Sequence, residues 1–146
     1  MEDIIKEKTS ADHLLYVSLK YTKTCDVIMN LILRWRKMIE TSIDAVLVNA
    51  KAKKKIKEVP TNPLGKIDEV KKLFKNDKNF MKTIETYEMF RKVEELRKER
   101  IGEFRKNVCL KIMYRGEEIN VNLEKLKEYS EMLEKFISTI KQSLPA

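Results

Sequence analysis

Histidine occurs once in this 146-residue chain, at position 13, and that scarcity removes most general acid–base chemistry from consideration. There is no HExxH, no CxxC, no Walker loop and no GxSxG in the sequence. Three glycines are too few to build a phosphate cradle. No catalytic residue, metal site or cofactor is therefore expected. No window approaches about 18 uncharged apolar residues, so no membrane-spanning helix is expected. The start, Met1-Glu2-Asp3, is acidic and leads into no apolar stretch of the kind a signal peptide carries. The two cysteines, Cys25 and Cys109, each sit in an apolar pattern, as buried thiols of a reducing compartment do. A cytoplasmic protein is the expectation.

The rarity of glycine and proline is unevenly spread. Neither occurs from Ser10 to Val59, and the breakers Pro60, Pro63 and Gly65 then come together. A helix interior tolerates those two residues worst, so the span reads as helix. Leu14, Val17, Tyr21, Ile28, Leu31, Trp35 and Met38 form one apolar row, and Leu15, Cys25, Met29, Ile32, Ile39, Ile43 and Val46 a second. A helix from Ala11 to Lys57 would be roughly 70 Å long. A compact domain of this size is only about 40 Å across. Either the helix breaks, near Thr22-Lys23-Thr24 or Thr41-Ser42, or a second chain covers its overhang. The apolar rows continue to Val46 and Leu47, which favours a homodimer with Ile39, Ile43, Val46 and Leu47 at its interface. Thr9 and Ser10 are the N-cap candidates of this first helix.

Further along, Ile67, Val70, Leu73 and Phe74 predict a short helix, and Asn76-Asp77-Lys78-Asn79 a turn. Phe80, Ile84, Tyr87, Phe90, Val93, Leu96, Ile101, Phe104 and Val108 predict a third, long helix with Gly102 inside it. Near Asn107 the period drops to two, which predicts a β-hairpin over 108–122 that turns at Arg115-Gly116-Glu117. Asn122 then caps a last helix with Leu126, Leu133, Phe136, Ile137 and Ile140 on its face. The expected fold is mainly α: a single domain, 1–146, built as a bundle of about four helices with one short hairpin.

Positive charge is what the chain has in excess. Thirty-one Lys and Arg against 23 Asp and Glu give a formal net charge of +8, which permits an acidic partner without naming one. The densest run is Lys51, Lys53, Lys54, Lys55 and Lys57. A solvated helix end explains it, and so does contact with a phosphate backbone; membrane contact is disfavoured because no aromatic anchor sits in the run. Arg97, Arg100 and Arg105 are the second candidates for nucleic acid. Around them Glu94, Glu95, Glu99 and Glu103 alternate with basic residues in the manner of an exposed, ion-paired helix face.

The Arg-rich segment from Glu95 to Asn107, late in a helical bundle, resembles the HEPN superfamily. These are small helical-bundle proteins that dimerise and are often ribonucleases or partners of nucleotidyltransferases. Their hallmark is an Arg followed four to six residues later by His. Here Arg100 is followed at that spacing by Arg105 and Lys106, with no His. The resemblance covers residues 10 to 110. It implies a bundle and a dimer, and it argues against catalysis. The expected function is a non-enzymatic, dimeric helical protein that contacts an acidic macromolecule, non-specific nucleic acid being the candidate. The rivals are a protein–protein adaptor within a larger assembly and a HEPN-like nuclease without its His, in which Arg97, Arg100 and Arg105 would hold phosphate.

Overall fold

The computed structural model describes residues 1–145. The first 50 residues fold as two helical rods rather than one. The first rod joins α1 (Glu2–His13), a π-helical stretch (Leu14–Ser18) and α2 (Leu19–Tyr21); the second is α3 (Cys25–Ala52). They are separated at Thr22-Lys23-Thr24, where Thr24 is extended and its hydroxyl accepts the Val27 N–H at 3.3 Å. That bond satisfies one of the free donors at the start of α3. The Lys23 ammonium donates to the Lys20 carbonyl at 2.7 Å and closes the end of the first rod. The rods run antiparallel, since Glu7 pairs with Arg34 and Lys37 while Met1 lies beside Val48. The helix begins at Glu2, so Thr9 and Ser10 are interior; the Thr9 hydroxyl donates back to the Ile5 carbonyl.

Three more helices complete the bundle: α4 (Pro63–Leu73), α5 (Lys78–Lys92) and α6 (Leu123–Ser143). Asn62, Asp77 and Asn122 cap them, each accepting a backbone N–H three residues on. Helix α3 is the central element. Trp35 stacks on Phe90 of α5 at 6.2 Å and meets Tyr129 of α6 edge-on at 6.1 Å. A second aromatic cluster, Phe74, Phe80 and Phe136, locks α4, α5 and α6 together. The two apolar rows of α3 are thus both used within one chain. Ile39, Ile43, Val46 and Leu47 are at most 3% exposed. They form no exposed interface, because other helices of the same chain cover them: Ile43 lies beside Pro63 and Ile67 of α4 and Tyr87 of α5, and Val46 beside Leu73 and Phe74.

The third predicted helix is also shorter than its periodicity suggests. It stops at Lys92, and the chain from Lys98 to Ile101 is a strand, β1. Lys98 ends the helix by donating its ammonium to the carbonyls of Val93, Glu94 and Leu96. Strand β1 pairs antiparallel with β2 (Cys109–Tyr114), which pairs with β3 (Glu117–Asn122). The hairpin lies where the change of period placed it, but it belongs to a three-stranded sheet. Its two-residue turn has Arg115 at φ 51° and Gly116 at φ 77°, the left-handed pair that suits the twist of a tight hairpin. Leu110, Ile112 and Val121 bury one face of the sheet against the helices. Among the described residues no helix is long and apolar enough to cross a membrane.

Two measurements follow from this packing. Ile43→Asp should cost more than about 4 kcal/mol, because an unpaired carboxylate enters a closed core. Chemical denaturation should therefore show a largely unfolded variant, where an interface residue would have left a folded monomer. Burial, with a smaller contribution from Glu128, pushes the Tyr129 hydroxyl up to about 12. Its pKa in the unfolded chain is about 10, so the folded state holds the proton more tightly. That stability is complete below the unfolded value and is lost as pH rises through the folded one. Tyr129→Phe should flatten the alkaline fall in stability, as read by urea midpoints between pH 9 and 12, a window of roughly the width these pKa values set.

Candidate nucleic-acid interface

The amino end of α3 meets the sheet through a small set of long-range bonds. The Glu103 carboxylate accepts the Cys25 N–H at 3.1 Å, placing an anion at the positive end of a 28-residue helix. The Cys25 thiol donates to the Cys109 carbonyl at 3.3 Å. Burial raises both cysteine thiols, so neither is an activated nucleophile. The Phe104 N–H donates to the Lys23 carbonyl at 2.6 Å, which fastens the turn after β1 to the break between the rods.

That turn is unusual. Gly102 lies at φ 65°, and a Cβ on it would sit 2.8 Å from the Asn107 carbonyl oxygen. Phe104 lies at φ 66°, a left-handed conformation that a bulky side chain adopts only under constraint. Its ring is 75% exposed. Tyr21, on the other side of the junction, is 79% exposed, with the Lys20 ammonium 5.9 Å from its ring centre. Chain geometry across the Phe104–Lys23 bond keeps the Cα atoms of Tyr21 and Phe104 within about 14 Å of each other. Lys20, Lys23, Arg105 and Lys106 adjoin the pair in sequence, and all but Lys23 are exposed.

Arg100 approaches the same junction from β1. Its guanidinium holds Asp26 at 2.5 Å and Glu103 at 3.4 Å. The hydrogen bond and charge of Arg100 keep the Asp26 carboxyl below its ordinary range, and the same pairing raises Arg100. Arg100 therefore organises the junction and spends its charge on two carboxylates. Arg97 and Arg100 are three residues apart on an extended segment, so they face opposite sides of the sheet. The arginines do not converge in a cleft.

The residues that the sequence nominated for nucleic acid form two groups. Lys51 is in the last turn of α3, and Lys53, Lys54, Lys55 and Lys57 follow in the bend beyond it. Arg97, Arg100 and Arg105 lie at the opposite end of the same helix. Twenty-eight residues of helix separate the groups by roughly 40 Å. The sequence reading missed Tyr21, Phe104, Lys20, Lys23 and Lys106, because Tyr21 and Phe104 fitted helical apolar rows. The signal was present in Lys20-Tyr21-Thr22-Lys23 and Phe104-Arg105-Lys106, where an aromatic residue sits directly among cations.

Among the described residues no group of three His, Cys, Asp or Glu side chains could hold a metal ion. His13 is exposed at the end of α1, eight residues before Tyr21 along the first rod. No protein-family model, curated protein or solved structure matches this chain. The turn itself is open to test. Gly102→Ala should cost about 2 kcal/mol or more, from left-handed strain added to the clash with Asn107. A urea midpoint unchanged from the parent would show that the turn is free to rearrange.

Proposed function

We propose that this chain is a non-enzymatic helical protein that binds single-stranded nucleic acid, without sequence preference, through the junction of Tyr21 and Phe104. The observation that carries the reading is Phe104, three-quarters exposed and held in a left-handed conformation. Leaving a Phe side chain in water forgoes about 1.5–3 kcal/mol of burial. A left-handed backbone adds roughly 1–2 kcal/mol. A smaller polar residue would avoid both costs. A ring fixed in that position, among cations, suits stacking against an unpaired base.

The division of labour is simple. Tyr21 and Phe104 offer faces on which any base stacks, worth about 1–3 kcal/mol per base. Lys20, Arg105 and Lys106 supply mobile charge for the backbone, while Lys23 is held on the Lys20 carbonyl. A duplex hides its base faces, so single strands bind better than double strands. Bases are held by their faces and not by their edges, which accounts for the lack of sequence preference. The same surface lacks a paired acid and base, which supports binding over turnover.

Fluorescence anisotropy with labelled 12-mers of dT and of mixed sequence tests this. Phe104→Ser and Tyr21→Ser should each weaken binding about 5- to 100-fold, with melting temperatures within about 2 °C of the parent. Three phosphate contacts predict a slope of about −2 in log affinity against log salt. Binding that ignores both aromatic substitutions, or that responds only to changes at Lys53 to Lys57, would refute the assignment.

A further inference from the structure

The lysine bend at the far end of α3 is a built structure rather than a frayed end. The Lys55 N–H donates to the Ala50 carbonyl at 2.8 Å and the Lys54 N–H to the Lys51 carbonyl at 3.0 Å. Lys54 sits between them at φ 61°. This is the Schellman arrangement, in which glycine is the usual left-handed residue. Here the chain keeps a lysine and accepts the strain. The reversal brings Lys53 and Lys55 into the lining of a pocket of about 310 Å³. Its apolar side is Val46, Leu73 and Phe74, and its polar side includes Asn49 and Gln142.

Lysines at a helix end often serve the helix itself, by binding its last carbonyls or a nearby carboxylate. Lys23 and Lys98 do so in this protein. Lys53 and Lys55 do not. The last carbonyls of α3 are taken by the backbone of the bend, and Lys51 alone of the run has an acidic partner, Glu58 at 3.3 Å, among the described residues. The Asn49 amide is spent on the Ser143 carbonyl, which ties α3 to α6 and fixes the pocket wall. Lys53 and Lys55 therefore line a mainly polar pocket with an apolar wall, and neither has an acidic partner among the described residues. The pocket is of the size that small-molecule sites begin at, about 300 Å³.

We propose that this pocket binds a small organophosphate, with the phosphate between Lys53 and Lys55 and the organic part against Leu73 and Phe74. Lysine suits a phosphate as a compact point charge, and a dianion matches two of them. The apolar wall gives an ester an advantage that free phosphate lacks. The site lies roughly 40 Å from the aromatic junction and does not depend on it.

Adenosine monophosphate, inorganic phosphate and adenosine serve as probes, titrated into the full chain by calorimetry and by amide chemical shifts. The monophosphate should bind at least tenfold more tightly than either phosphate or adenosine, and its shifts should fall at Asn49 to Lys55, Leu73, Phe74 and Gln142. The double variant Lys53→Gln, Lys55→Gln should lose at least tenfold in affinity with an unchanged melting temperature. Phe104→Ser should leave this binding intact, which separates the pocket from the aromatic junction. No binding at millimolar monophosphate, equal affinity for adenosine, or indifference to the double substitution would each overturn the proposal and leave the run as a solvated helix end.

Discussion

The interruption of the helix at Thr22-Lys23-Thr24 sets the position of everything else. Without it α3 would continue the first rod into solvent, and half its apolar surface would lack cover. With it, Ile4, Ala11, Leu15 and Leu19 fold back onto α3 and close the core on one side while α5 and α6 close the other. The interruption also exposes the amino end of α3. Glu103 and Thr24 then satisfy its donors, and satisfying them brings the turn of Gly102 to Asn107 against Lys23. Packing demand and helix-end chemistry are met by the same three residues.

Much of this was readable from residues alone. The hairpin followed from the change of period at Asn107. The cap at Asn122, the short helix around Ile67 and Val70, and the buried thiols followed from local chemistry. The break was legible as one of two candidate positions, because Thr22 and Thr24 are weak helix formers with hydroxyls that can cap. Choosing between a break and a dimer required knowing what covers Ile43 and Leu47, and that depends on helices distant in sequence, α4 and α5 among them. The third helix failed for a related reason. Ile101, Phe104 and Val108 fit a 3.6-residue row by coincidence, while the pairing of Lys98 to Ile101 with Cys109 to Ile112 is non-local and overrides helical propensity. The candidate site divided likewise. Arg100 and the lysine run were visible as charge, but sequence proximity says nothing of a separation along α3 or of which cations already have partners.

The lysines and arginines of this chain therefore fall into three kinds. Some hold carbonyls at helix ends, as Lys23 and Lys98 do. Some hold carboxylates, as Arg100, Lys71 and Lys8 do. Exposed pairs such as Arg100–Asp26 add little to stability, so the fold rests on its core. The remainder face solvent and account for the net charge that an acidic partner would sense. Composition counts all three alike, and only geometry distinguishes them.

The junction at Cys25 joins residues 78 and 84 positions apart, more than half the chain. Closing so long a loop costs entropy before any of its contacts form. Helices form from local contacts first, and a seam of this separation assembles once they are in place. By that tendency the aromatic surface belongs to the late-assembling part of the molecule. It also has a built-in reporter. The Cys25 thiol is sealed while the seam holds, and it meets solvent only when α3 and the sheet part, so its rate of labelling clocks the opening of that surface.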